Sequence, residues 1–169
     1  IHEFLLELRE AGGRVPRVYR GSARSLQNSY GVFARRLRAR FGLVEGMDAE
    51  AAKAQVRSQV ATVLEDRKVG DVCYFLGQLI DLDFLGSPLT KAVADDPVQA
   101  RLLRRSIVKA FVEGDAAQGP ICLVFEDLHL ADDDSIELLR YLMENLTGPI
   151  LLLCATRPDI SARHEDWFS

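Results

Sequence analysis

The sequence has no excess of basic residues, few cysteines and no long apolar run, and each shortage removes a class of function. Its 25 acidic residues outnumber its 21 lysines and arginines, for a formal net charge of -4 and a pI near 5.4. Composition therefore supplies no footprint for nucleic acid. The three cysteines, Cys73, Cys122 and Cys154, form neither a CxxC pair nor a Cys/His set of metal-ligand spacing, which points to a reduced, cytoplasmic setting. Cys122 and Cys154 each stand in an apolar run, where free cysteine packs as a small core residue. No stretch approaches the roughly 20 apolar residues that cross a bilayer, and Ile1-His2-Glu3-Phe4 carries no signal-peptide pattern. The chain does not begin with methionine and its first residues read as mid-helix, so a fragment of a longer protein is expected. Repeats and low-complexity tracts are missing too.

What remains is ordinary globular material: 169 residues, 48% hydrophobic and 27% charged, enough for one domain, or a large piece of one, with a real core. Phe4, Leu5 and Leu8 predict a helix stopped by Gly12-Gly13, and a short strand from Val15 to Arg20 follows. Tyr30, Phe33, Leu37 and Phe41 recur at helical spacing up to Gly42. Arg35, Arg36, Arg38 and Arg40 on the same helix read as a solvated face. Val56, Val60, Val63 and Leu64 predict a helix opened near Asp48, and Tyr74, Phe75, Leu79 and Leu82 another between Val72 and Leu82. Asp96-Pro97 opens a further helix with Leu102, Leu103, Ile107 and Phe111 as its buried stripe, and Gly114 to Pro120 breaks it.

The last third changes character. Ile121 to Phe125 is an unbroken apolar run, as expected of a parallel strand covered on both faces, and it ends in Glu126-Asp127. Asp134 is placed to cap a helix carrying Ile136, Leu139, Met143 and Leu146, which Gly148-Pro149 ends. A second apolar strand, Ile150 to Ala155, leads into Thr156-Arg157-Pro158. The order of helix, strand, helical insert, strand, helix and strand predicts an α/β fold layered on a parallel sheet.

Open α/β sheets bind ligands at the carboxyl ends of their strands, so Glu126 and Asp127 are delivered to a functional edge. Magnesium prefers hard oxygen ligands and keeps several waters; one acid can hold it while the other orients an attacking water. The plain alternative is that acids after a buried strand cap the next turn. His129 has the same two readings, of which packing in the turn is the simpler. Arg157 either contacts a phosphate or satisfies the strand end. Lys68, Lys91 and Lys109 lack a glycine loop that would make any of them a phosphate lysine.

Leu123 to Asp132, Leu-Val-Phe-Glu-Asp-Leu-His-Leu-Ala-Asp, and the later Leu-Leu-Leu-Cys-Ala-Thr-Arg-Pro-Asp together resemble the Walker B and sensor-1 motifs of STAND-class signalling ATPases within the AAA+ superfamily. The resemblance also takes in Ser29-Tyr30-Gly31-Val32-Phe33 and the arginine-rich helix after it. It implies a three-layer, P-loop NTPase-like parallel sheet with a helical insert, lacking the P-loop strand. Residues 1–47 would be the post-P-loop helix, strand and helix, 48–114 the insert, and 115–169 the Walker B and sensor-1 segment. By the same resemblance Glu126 takes the Walker B magnesium position and Asp127 the adjacent, water-activating one. Thr156 and Arg157 fall where sensor 1 contacts the terminal phosphate. Two departures stand out: Leu130 replaces a frequent tryptophan, and no GxxxxGK followed by Ser or Thr occurs, although it is expected shortly before Ile1.

The implied ligands are ATP and Mg²⁺, and the implied partner is an attached output domain such as a nucleotide cyclase, a Ser/Thr kinase or a DNA-binding regulator. The expected function is part of an ATP-binding and hydrolysing switch in signalling or transcription regulation, catalytically silent without its phosphate loop. In the family's sheet order the P-loop strand lies beside the sensor-1 strand, so self-association through Ile150 to Ala155 is also expected. The rivals are a non-catalytic scaffold or oligomerisation module, and the regulatory region of a cyclase or kinase. HRD, DFG and a cyclase metal-site pattern are all missing from these residues.

Overall fold

A computed structural model describes residues 3, 4, 6, 7, 15–23, 30–158 and 160. Leu5, Leu8, Gly12, Gly13 and Ser29, invoked above, lie outside the described residues. Three parallel strands form the sheet: β1 (Arg17–Ser22), β2 (Ile121–Glu126) at its centre, and β3 (Ile150–Cys154). Residue by residue, Arg17 to Ser22 align with Ile121 to Glu126, and Ile121 to Phe125 with Ile150 to Cys154. The register brings the carboxyl ends of all three strands to one edge of the sheet. Strand β1 begins two residues later than its apolar pattern predicts, because pairing with β2 rather than hydropathy sets its start.

The unbroken apolar run of β2 has the expected consequence. Ile121 to Phe125 are all buried, with Ile121, Leu123 and Phe125 in the main core and Cys122 and Val124 packed with Val18, Leu151 and Leu153 on the opposite face. Strand β3 is, like β1, an edge strand among the described residues; Ile150 to Leu153 are half-buried and Cys154 is exposed. Cys154 is therefore not the core residue its apolar neighbours predict, while Cys73 and Cys122 are buried.

Helix α1 (Gly31–Phe41) ends at Gly42, whose φ of 65° terminates it as predicted. Four helices follow, α2 (Ala49–Ala61), α3 (Asp66–Leu79), α4 (Pro88–Ala94) and α5 (Pro97–Ala117). The caps expected from sequence are present: Asp48 accepts from the Ala51 amide, and Asp96 from those of Val98 and Gln99. Val63, Leu64 and Leu82 lie past their helices yet pack against the core. In α5 the buried stripe is rotated from the predicted one, running through Val108, Phe111, Val112 and Ala116, with Leu102 55% exposed. Gly114 does not break α5. A Cβ there would stand 2.8 Å from Val63 Cγ1, so the glycine admits close approach of the α2–α3 connection to a continuous helix.

The arginine run corrects the sequence reading most. Helix α1 packs against β1 on one side and α2, α3 and α6 (Asp133–Asn145) on others, so Arg36, Arg38 and Arg40 point into interfaces instead of water, while Arg35 is half-buried. Arg36 is 3% exposed. Arg38 donates to the Ile80 carbonyl at 2.8 Å. Arg40 donates to Asp115 through Nε at 2.8 Å and Nη2 at 2.7 Å, while Arg17 reaches the same carboxylate at 2.9 Å. The hydrogen bond to Asp115 is the first cause that raises the Arg40 pKa. One buried acid thus joins the start of β1, α1 and the end of α5.

Removing one member of a buried ion cluster strands the others. Asp115→Ala should therefore cost about 3–5 kcal/mol in urea unfolding. Glu65→Ala, which breaks the exposed Arg67 pair, should cost less than about 1 kcal/mol.

Candidate functional site

Glu126 is the last residue of β2, and Asp127 leaves the strand in the left-handed region at φ 57°, ψ 34°. Aspartate tolerates that conformation better than most L-residues. A one-turn 3₁₀ helix, Leu128–Leu130, follows and carries half-buried His129. Register sets Ser22 of β1 beside Glu126. From there the Ser22 hydroxyl donates to Asp127 Oδ2 at 2.6 Å, and two residues earlier Arg20 donates to Glu126 Oε1 at 3.1 Å. The Arg20–Glu126 side chains are 44% and 32% exposed, so the pair is worth at most about 1 kcal/mol and is readily exchanged.

The third strand closes the site by backbone alone. The Ala155 amide donates to the Phe125 carbonyl at 2.6 Å, and the Leu128 amide to the Ala155 carbonyl at 3.2 Å. These two bonds bracket Glu126 and Asp127 and hold Thr156 at the neighbouring strand tip. Thr156 is half-buried with its hydroxyl donating to the Arg157 carbonyl at 3.3 Å, and Arg157 is exposed. The structure thus brings the four predicted residues to one edge, with the two acids tied to β1 by side chains and to the β3 tip by main chain.

Asp132 organises the next turn. Its carboxylate accepts from the Ser135 amide at 2.8 Å and hydroxyl at 2.7 Å, capping α6, and from the Tyr30 amide at 3.1 Å at the start of α1. The cap predicted at Asp134 is therefore two residues too late; Asp134 lies in the first turn of α6. Met143 is 51% exposed and Leu142 fills the buried position instead. Ser22, Arg20 and Asp132 were not singled out from sequence. Ser22 and Asp127 are 105 residues apart, and only strand register makes them neighbours.

Two hard carboxylates at a strand tip suit a divalent cation that takes its remaining ligands from water and phosphate oxygens. Among the described residues no group of three or more His, Cys, Asp or Glu is placed to hold a metal by itself, so protein ligation alone would be sparse. Among them, too, no helix is long and apolar enough to cross a membrane.

Helices around a parallel sheet with acids at the carboxyl end of its central strand define a P-loop NTPase-like α/β fold. A family model described as an AAA ATPase domain matches residues 1–153, and the chain belongs to that family. No curated protein and no solved structure matches it.

Because Asp132 both caps α6 and anchors Tyr30, Asp132→Ala should cost about 1–2 kcal/mol for the cap alone. Urea titration checks the sum, and hydrogen exchange at the Tyr30 and Ser135 amides should quicken together.

Proposed function

We propose that this chain supplies the magnesium-binding and phosphate-sensing part of an ATP-dependent regulatory switch, of the STAND signalling type. The observation that carries the reading is the fixed acid pair at the carboxyl end of the central strand, with the β3 tip bonded beside it. Glu126 is assigned to hold Mg²⁺, directly or through water. Asp127 polarises or positions the attacking water, and Thr156 and Arg157 contact the terminal phosphate. Nucleotide state would then be passed to an attached output domain, a cyclase, kinase or DNA-binding regulator, in the cytoplasm. Residues 1–47, 48–114 and 115–169 are assigned as the segment after the phosphate loop, the helical insert, and the Walker B and sensor-1 segment.

A scaffold or self-associating module is the second reading, favoured by the half-buried apolar edge of β3. A pure scaffold gives no reason for two acids held by a serine and an arginine at the strand tips. That contrast favours the switch.

No glycine-rich phosphate loop occurs within the 169 residues, so this segment by itself should show no saturable micromolar binding of Mg²⁺·ATP in calorimetry. In the full-length protein, Asp127→Asn should leave ATP binding nearly intact and slow hydrolysis by about 100-fold or more. Glu126→Gln should weaken the magnesium dependence of binding. Steady-state rates and magnesium titrations separate the roles. Exchange of the two phenotypes would reverse the assignment, and unchanged turnover in both variants would refute the Walker B reading of these acids.

A further inference from the structure

Arg36 has no part in the roles assigned so far, yet it lies directly beneath them. It is 3% exposed. Its two terminal nitrogens donate to three backbone carbonyls: Val32 one turn back on α1, Gly21 of β1 at 2.8 Å, and Val124 of β2. Its guanidinium carbon stands 3.6 Å from the centroid of the Phe125 ring, and its Nε is buried without a hydrogen bond. The hydrogen bonds of this cation go to carbonyl groups and none to an acid. Burial pushes its pKa down to about 9, an effect that the nearby Glu126 carboxylate opposes.

A desolvated cation with carbonyl partners is a poor way to gain stability, since an apolar side chain of similar volume often serves a core equally well. What the guanidinium does provide is placement. Gly21 immediately precedes Ser22, which holds Asp127; Val124 and Phe125 immediately precede Glu126; and the Phe125 carbonyl carries the Ala155 amide next to Thr156. Each strand contact of Arg36 therefore adjoins a residue that holds or belongs to the acid site. A planar fork can satisfy carbonyls of two strands at once and stack on a ring, which an ammonium cannot.

We propose that Arg36 is a positioning residue that locks the carboxyl ends of β1 and β2 onto α1, so that Glu126 and Asp127 are in reacting geometry before nucleotide binds. The proposal rests on the ATPase reading above. The test uses the full-length protein carrying Arg36→Met, Arg36→Lys or Asp127→Asn, with the folded fraction and melting temperature of each measured first. Small misplacements of reacting groups are costly, so Arg36→Met should lose about 10- to 100-fold in kcat. Its KM for Mg²⁺·ATP should stay within about threefold, because the groups that bind nucleotide remain. Arg36→Lys should recover little of the loss, although it keeps the charge. Without nucleotide, amide exchange at Leu128 and Ala155 should quicken in Arg36→Met, while Val56 and Val60 of α2 keep their protection.

A folded Arg36→Met protein with unchanged kcat overturns the proposal, as does a loss of kcat no larger than the loss of folded protein. If Arg36→Met does not fold, a folded Arg36→Lys protein with unchanged kcat overturns it instead. Asp127→Asn separates this from the underlying reading. Wild-type protein that hydrolyses no ATP refutes the ATPase assignment and the positioning role with it, and normal turnover in Asp127→Asn refutes the role given to Asp127 and the positioning role that serves it. Inactive Asp127→Asn beside fully active Arg36→Met refutes the positioning role alone.

Discussion

A strand buried on both faces and paired on both edges has no freedom to move its ends independently of its neighbours. Strand β2 is such a strand: Ile121 to Phe125 are buried, β1 and β3 flank it in parallel, and its first polar side chain is Glu126 at the tip. Burying five such residues supplies on the order of several kcal/mol of hydrophobic stabilisation. That energy fixes where the chain must emerge and hence where two carboxylates appear. Asp127 turns out of the strand in a left-handed conformation, and the tips of β1 and β3 arrive beside it because parallel register leaves them no other place.

Around this strand the molecule handles buried arginines in two ways. At the amino ends of the strands Arg17 and Arg40 share Asp115, an acid–base cluster in which each charge has a partner. At the carboxyl ends Arg36 has carbonyls and a ring face. The first arrangement joins β1, α1 and α5 and is read most simply as structure. The second sits under the acids, where an additional buried carboxylate would compete with them for any cation.

Strong periodicity made most of the architecture readable. The continuous apolar run of β2, the proline after Asp96 and the glycine after Phe41 each impose one local outcome, and the structure has all three. Failures occurred where a tertiary partner decided. Four arginines within six residues look like a solvated face unless the helix is covered on several sides, as α1 is. Gly114 looks like a break unless Val63 needs the space its missing Cβ leaves. Of the candidate site, Glu126 and Asp127 could be picked out because hydropathy marks the end of their strand, whereas Thr156 and Arg157 were reached through the resemblance of the strand that leads into them. Ser22, Arg20 and Arg36 could not, since their importance comes from register and from contacts across 88 to 106 positions.

The two acids are adjacent in sequence but differently held, and that difference bears on which does what. Glu126 accepts from an arginine that is itself largely in solvent, an interaction weak enough for an incoming cation to displace. Asp127 accepts a short hydrogen bond from a part-buried serine on a neighbouring strand, and its backbone occupies a conformation that few residues tolerate. A ligand to a metal that arrives with nucleotide has to be released from its resting partner at that moment. A group that aligns a water gains from being fixed beforehand, since its contribution depends on geometry already in place. The weakly held acid therefore suits the magnesium role proposed for Glu126, and the firmly held one the water-positioning role proposed for Asp127. The longer side chain of Glu126 adds reach for a cation lying beyond the strand tip, whereas the shorter Asp127 stays close to the β1 and β3 tips.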